Sequence, residues 1–337
     1  MKNWKKAGLT ALAGSLVAFS ANAGELAVSG SATLTYTGNS GAQDGNGAAT
    51  QDGLDGQRWG MGRGITFTGS GEMDNGWTVS LSQTLTAGAV SGNSISIDMG
   101  DAGTIHYENS TSARGIGKID DVMPTAHEEV WDGIDVNGTT AAGGITGKVS
   151  GGGDGFNYSN SMGDGMATIN VGYAPKGQNG ASAGAVTGAG ANTSSTSATI
   201  ELTPMDGLSV GAGWGEVGST TSTGFNNDHS TYYAKYAWGP VTVGYQVSEI
   251  DMYNTTADYD RDSWGISYQV NDDLAISYGD SKTDLGGNAT DSEIDGMSIS
   301  YTMGSMSFTA HANEGTGIGH AASMKSEHTE ISVSFAF

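Results

Sequence analysis

The 337-residue sequence predicts an all-β fold: a 16-stranded antiparallel transmembrane β-barrel with long external loops and short periplasmic turns. Two observations carry this expectation. Segment after segment alternates apolar with small polar residues at a period of two, the mark of strands with two unlike faces. The connections alternate as well, tight turn and long polar stretch in regular succession. Composition adds a third. Hydrophobic residues are only 36% of the chain and glycine accounts for 56 residues, so a conventional soluble core would be poor in large apolar side chains. Strands whose inner face is wet have no such need.

Residues 1–23 set the compartment. Lys2, Lys5 and Lys6 precede a 14-residue apolar run, Ala7 to Ser20, and Ala21-Asn22-Ala23 supplies the small-x-small pattern of a signal-peptidase site. The run is shorter than the roughly 20 apolar residues a helix needs to cross a bilayer. The expectation is a removable signal peptide over 1–23 and a single barrel over 24–337. Three of the 13 basic residues lie in the leader, which leaves ten against 36 acids, a formal charge of −26. That balance excludes a nucleic-acid binder, which needs a basic footprint, and it attracts cations. No cysteine is present, so no disulfide staples a fold whose export would permit one.

The first strand puts Leu26, Val28, Ala32, Leu34 and Tyr36 on one face and Ser29, Ser31, Thr33 and Thr35 on the other. Over 77–85, Trp77, Val79, Leu81 and Leu85 stand opposite Thr78, Ser80, Ser82 and Thr84. Segments 208–214, 241–247, 263–270, 274–278 and 297–303 repeat the device. The final residues do so up to the carboxylate, with Ile331, Val333, Phe335 and Phe337 toward lipid and Ser332 and Ser334 toward water. Turn-type residues at 74–76, 100–103, 163–165, 204–207, 239–240, 271–273 and 304–305 make seven short connections. Eight more, at 38–60, 87–93, 108–145, 175–195, 216–228, 249–260, 280–292 and 314–326, bring the count to 16 strands; all of these but 87–93 are long. A sandwich mixes connection lengths through its Greek-key crossings, whereas short-long alternation belongs to a membrane barrel. Lipid offers no hydrogen-bond partner, so the sheet must close and leave no edge. Trp77 and Trp238 fall beside short turns and Trp214, Trp264 and Tyr36 at the loop-side ends, one aromatic belt for each interface.

Several stretches resemble the general diffusion porins of Gram-negative bacteria, most of all the Rhodobacter type of the alphaproteobacteria. Residues 28–38 (VSGSATLTYTG) are similar to that family's first strand, and 65–77 (ITFTGSGEMDNGW) to its second strand, tight turn and third strand. Residues 95–108 (ISIDMGDAGTIHYE) are similar to the hairpin before its constriction loop, and 331–337 (ISVSFAF) to its closing strand. The resemblance implies an outer-membrane location, a homotrimer in the lipid bilayer and a third external loop folded into the pore. It also implies that the terminal aromatic strand, here Phe335 and Phe337, is the signal read by the insertion machinery.

The third loop, about 108–145, is the longest and holds the least glycine- and serine-like stretch of the chain, 117–135. It carries Asp120, Asp121, Glu128, Glu129, Asp132 and Asp135, together with Met123, Pro124, Val130 and Trp131, side chains suited to pin it against the inner wall. In the family, wall arginines face the loop's acids across the constriction. The resemblance makes Arg58 and Arg63 the candidates here, with Arg114 and Lys118 at the loop's base. Arg63 shares the parity of Ile65 and Phe67, so an inward Arg63 requires a bulge at Gly62 or Gly64. Rings of Asp and Glu favour cations, and with so few bases a cation preference is expected. An ordinary ionised loop surface is the plainer reading of the same acids.

Other chemistry is thin. Residues 151–159 (GGGDGFNYS) resemble one copy of a glycine/aspartate calcium repeat, but such sites need stacked copies. Residues 42–47 (AQDGNG) hold one acid, too few for a cation-binding hand loop. Loose calcium binding by loop carboxylates is the one ion chemistry expected; no cofactor and no dedicated metal site are. The six histidines (106, 127, 229, 311, 320, 328) are scattered and read as polar lumen residues. The expected function is a passive channel for small polar solutes and cations, not an enzyme. A substrate-specific porin would need an aromatic slide or a basic cluster, which strand parity does not clearly offer. A non-porous barrel enzyme or adhesin is the alternative from another class.

Overall fold

Period-two patterning becomes sixteen barrel strands. They are β1 Leu26–Ser40, β2 Gly56–Glu72, β3 Thr78–Thr86, β4 Ala89–Asp98, β5 Thr104–Glu108, β6 Gly155–Met162, β7 Ala167–Ala174, β8 Ser195–Met205, β9 Leu208–Gly218, β10 Asn226–Trp238, β11 Val241–Asp251, β12 Tyr259–Asn271, β13 Leu274–Leu285, β14 Ser292–Met303, β15 Met306–Thr316 and β16 Lys325–Ala336. The computed structural model describes residues 26–40, 56–86, 89–108, 114–136, 139–140, 149–151, 155–175, 194–218, 226–253, 258–287, 290–320, 322 and 324–337. The expected signal peptide lies outside them. Each strand pairs antiparallel with its sequence neighbours and β16 pairs with β1, so the sheet closes. Strand number, order and closure agree with the sequence reading. The two-residue strands Asp135–Val136 and Thr139–Thr140 form a small separate ribbon.

The closing seam runs from Ser31 opposite Ala336 to Ser40 opposite Glu327. One residue further, Gly30 N donates to Phe337 O at 2.7 Å and Phe337 N to Gly30 O at 3.0 Å, so Phe337 is itself paired. On the inner face Thr33 and Thr35 bond the Ser334 and Ser332 hydroxyls at 2.8 and 3.1 Å. All seven expected short turns join consecutive strands. Gly207 shows why glycine punctuates them: φ is +78°, and a Cβ there would stand 2.2 Å from Ala237 O. Register shifts occur at Thr84/Leu85, Leu202/Met205 and Gln269/Asn271, the local signature of β-bulges.

Burial is inverted relative to a soluble protein. Among the described residues, 21 buried ones are polar or charged and 12 are hydrophobic, while Val28, Leu34, Ile65, Leu81, Ile95 and Met297 stay exposed. Hydrocarbon takes the exposed band and water the hydroxyl-lined interior. Trp77 and Trp238 are exposed at the turn side. Toward the loop side Tyr36 packs on Trp59, Trp214 on Tyr232 and Trp264 on Tyr278, with ring centroids 5.2, 5.7 and 5.7 Å apart. Two tyrosine hydroxyls on this side reach outward-facing carboxylates: Tyr245 OH to Asp262 at 2.5 Å and Tyr278 OH to Asp295 at 3.2 Å.

Candidate functional site: a loop folded into the barrel

Residues 114–136 lie inside the barrel against the wall formed by β6 to β16. They are seated on a lane of missing side chains. A Cβ on Gly172 would fall 2.7 Å from Gly115 N, and one on Gly213 would fall 2.9 Å from Ile116. On Gly244 and Gly265 it would fall 2.7 and 2.9 Å from Pro124, and on Gly279 3.1 Å from Val130. A glycine inside a strand marks such close approach.

Wall polar groups then hook the loop backbone. Gly115 N donates to Asn157 Oδ1 (2.8 Å), Ile116 N to Ser197 Oγ (3.1 Å), Ala126 N to Ser277 Oγ (2.8 Å) and His127 N to Ser298 Oγ (3.0 Å). Gln246 accepts from Val122 N and donates to Ile119 O, and Asn313 Nδ2 donates to Asp132 O at 2.9 Å. Trp131, Ile134, Ile294, Ile318 and Met324 close an apolar cluster behind one end, and Ile116, Val149 and Ile250 behind the other. Between them Arg261, 1% exposed, donates Nη2 to Asp120 O at 2.7 Å and lies 4.7 Å over the Trp131 ring.

The acids of the loop divide into roles. Asp120, Asp121 and Glu129 act electrostatically on the buried Arg261 guanidinium. Glu128, at φ +40°, is exposed. Asp132 turns to the wall, Oδ2 3.4 Å from His311 Nε2. Burial pushes the Asp132 carboxyl above its usual range, against the pull of His328, and pushes His127 below its own, against Glu330.

The bases depart from the sequence expectation. Arg63 pairs opposite Ala32 in a register unbroken from Gly56 to Gly69, with no bulge at Gly62 or Gly64, so it shares the outward face of Met61 and Ile65. It is not a constriction residue. Arg114 is fully buried, with Nη1 donating to Glu108 O at 3.1 Å, so it does not present its charge to the lumen. Arg58 opposes Thr37 on the inward parity at the loop-side end of β2, and Lys118 is exposed on the loop. Sequence reasoning passed over Arg261, Gln246 and Asn313, although the parity of β11, β12 and β15 points all three inward.

Opposite the loop, β1 to β5 present hydroxyls. Thr66 bonds Thr84 at 3.0 Å, and Ser96 Oγ lies 2.7 Å from His106 Nδ1, whose Nε2 is 3.0 Å from Glu108. A closed barrel with an apolar outer band and a polar lumen that holds an inward loop has the design of a membrane channel.

A family model described as Gram-negative porin matches residues 8–305. The chain belongs to the Gram-negative porin family and is an outer-membrane porin. Among solved structures it is similar to a mutant form of the Rh. blastica porin, at 14% identity over 93% of this chain and 100% of that one, TM-score 0.62. It is also similar to an anion-selective porin from Comamonas acidovorans (12%, 93% and 99%, TM-score 0.63). A loop L8 deletion of OmpT, an outer membrane protein of Vibrio cholerae, is a third (13%, 94% and 100%, TM-score 0.63). At these identities the likeness speaks for the fold. No curated protein matches the chain.

Proposed function

We propose that this porin is a passive diffusion channel for small hydrophilic solutes and ions, with a preference for cations. The observation that supports the preference is where the charges stand. Of the candidate bases only Arg58 and Lys118 keep to the lumen side with the exposed Glu128, whereas the guanidiniums of Arg114 and Arg261 are buried behind the loop and Arg63 faces outward. On the facing wall, hydroxyls bond water and polar solutes without sorting them by charge, and Glu108 adds a carboxylate. The anion-selective Comamonas protein shares the fold, so the sign of selectivity belongs to residues and not to topology. Purified protein in a planar bilayer under a salt gradient should give stepwise conductance with a reversal potential on the cation side. A silent membrane would defeat the channel, and an anion-side reversal would defeat the preference.

We also propose the homotrimer that the resemblance implies, with β2 to β4 as the wall facing other copies. Arg63, Gln83 and Asn93 share the outward parity of Ile65, Leu81 and Ile95. Facing lipid, an arginine at mid-depth costs about 2–4 kcal/mol, a cost that a protein neighbour removes.

A further inference from the structure

We propose that Asp132, His311 and His328 form a binding site for one divalent transition-metal ion, which ties the lumen loop to the last two strands of the barrel. These residues are remote in sequence, and the fold brings one ligand atom of each within 4.8 Å of the others. Asp132 Oδ2 and His311 Nε2 are 3.4 Å apart. Donors around a tetrahedral ion with bonds of about 2.0–2.1 Å are separated by roughly 3.3 Å. The His311 and His328 rings stack, with centroids 5.1 Å apart and planes 25° apart, so their edges lie side by side.

Three further features fit a metal rather than an ordinary polar wall. Both imidazoles are buried, at 3% and 5% exposure, and neither ring nitrogen of His311 makes a hydrogen bond among the described residues. Buried polar atoms are ordinarily satisfied, and a metal–nitrogen bond would satisfy one of these. His328 Nδ1 lies 2.7 Å from Asn39 Oδ1. A carbonyl oxygen there accepts the Nδ1 proton, so the lone pair sits on Nε2, the orienting contact that metal-binding histidines use. Gly133, at φ +70°, lays the loop backbone on the His328 ring, where a Cβ would fall 2.2 Å from Cγ. That contact holds the adjoining Asp132 beside both histidines. The fourth position is open to water or to His127, whose ring is 5.7 Å from that of His311 and whose buried Nε2 has no hydrogen-bond partner among the described residues. Imidazole donors select zinc, nickel or copper over magnesium and calcium, which separates this site from loose calcium binding by loop acids.

The test uses untagged, detergent-purified protein stripped with chelator and dialysed against zinc, with millimolar magnesium to occupy loose carboxylate sites. One zinc per chain is expected, with affinity falling at least about tenfold in His311→Gln, His328→Gln and Asp132→Asn and unchanged in His229→Gln. Cobalt in place of zinc should give the visible absorption of a four-coordinate nitrogen/oxygen site. Zinc binding indifferent to Asp132→Asn and His328→Gln, or no bound zinc, overturns the proposal. If the strand variants fail to form barrels, Asp132→Asn decides it alone, because that residue lies on the loop. The outcome does not depend on what the pore conducts.

Discussion

Arg261 keeps a full charge inside the wall by surrounding it with the loop. Its guanidinium holds the Asp120 carbonyl, covers Trp131 and feels the charges of Asp120, Asp121 and Glu129. Those three acids therefore balance a buried cation before they act on a passing ion, and Glu128 is the one of the four that stands exposed. Glu128→Gln should lower the cation-to-anion permeability ratio about two- to fivefold, since one unit charge a few ångströms from the ion path is worth about 1 kcal/mol in water. Asp120→Asn should instead lower the thermal stability of the folded protein, because it strips a counter-charge from a buried ion. Equal selectivity changes in the two variants, read from reversal potentials, would refute this division. The individual acids were legible in the sequence; their division was not, because it depends on an arginine more than a hundred residues downstream whose inward parity went unweighed.

At the scale of the element, each strand needs only its own residues to declare its two faces, which is why sixteen strands and seven turns could be read locally. The path of the loop is set by contacts with the strands from β6 to β16, and no local pattern encodes that. The lane of inward glycines at 172, 213, 244, 265 and 279 was its trace, one glycine on each of five strands. Gly244→Val tests the lane: its side chain would stand in the place of Pro124 while leaving backbone pairing intact. Larger or noisier single-channel conductance is expected from a displaced loop. Conductance identical to the parent would mean that the loop does not narrow the pore.

Across the whole molecule, the apolar band ends where carboxylates begin on the outer face, at Asp262, Asp280 and Asp295, directly above tyrosines and tryptophans. Charged groups are costly in hydrocarbon, so this row marks the upper limit of the membrane on that side. Arg63 is the outward charge that breaks the rule on β2. Arg63→Glu should convert a species cross-linked as trimers in mild detergent into monomers, while Arg63→Lys should retain trimers. Trimers that survive charge reversal would place the interface elsewhere. Parity made Arg63 legible as outward; the resemblance to wall arginines pulled the other way, and the unbroken register decides between them.

The seam between β1 and β16 has a temporal consequence. Thr33 bonds Ser334 across a sequence separation of 301 residues, and the backbone pairing runs on to Gly30 and Phe337. A ring joined by strands so remote in sequence cannot be shut until β16 is in place. Until then the nascent sheet carries two raw edges, each a template for strand pairing with a neighbour, and contacts this remote in sequence form slowly. The ring therefore stays open through most of assembly, and the pairing of β16 with β1 is the contact that completes it.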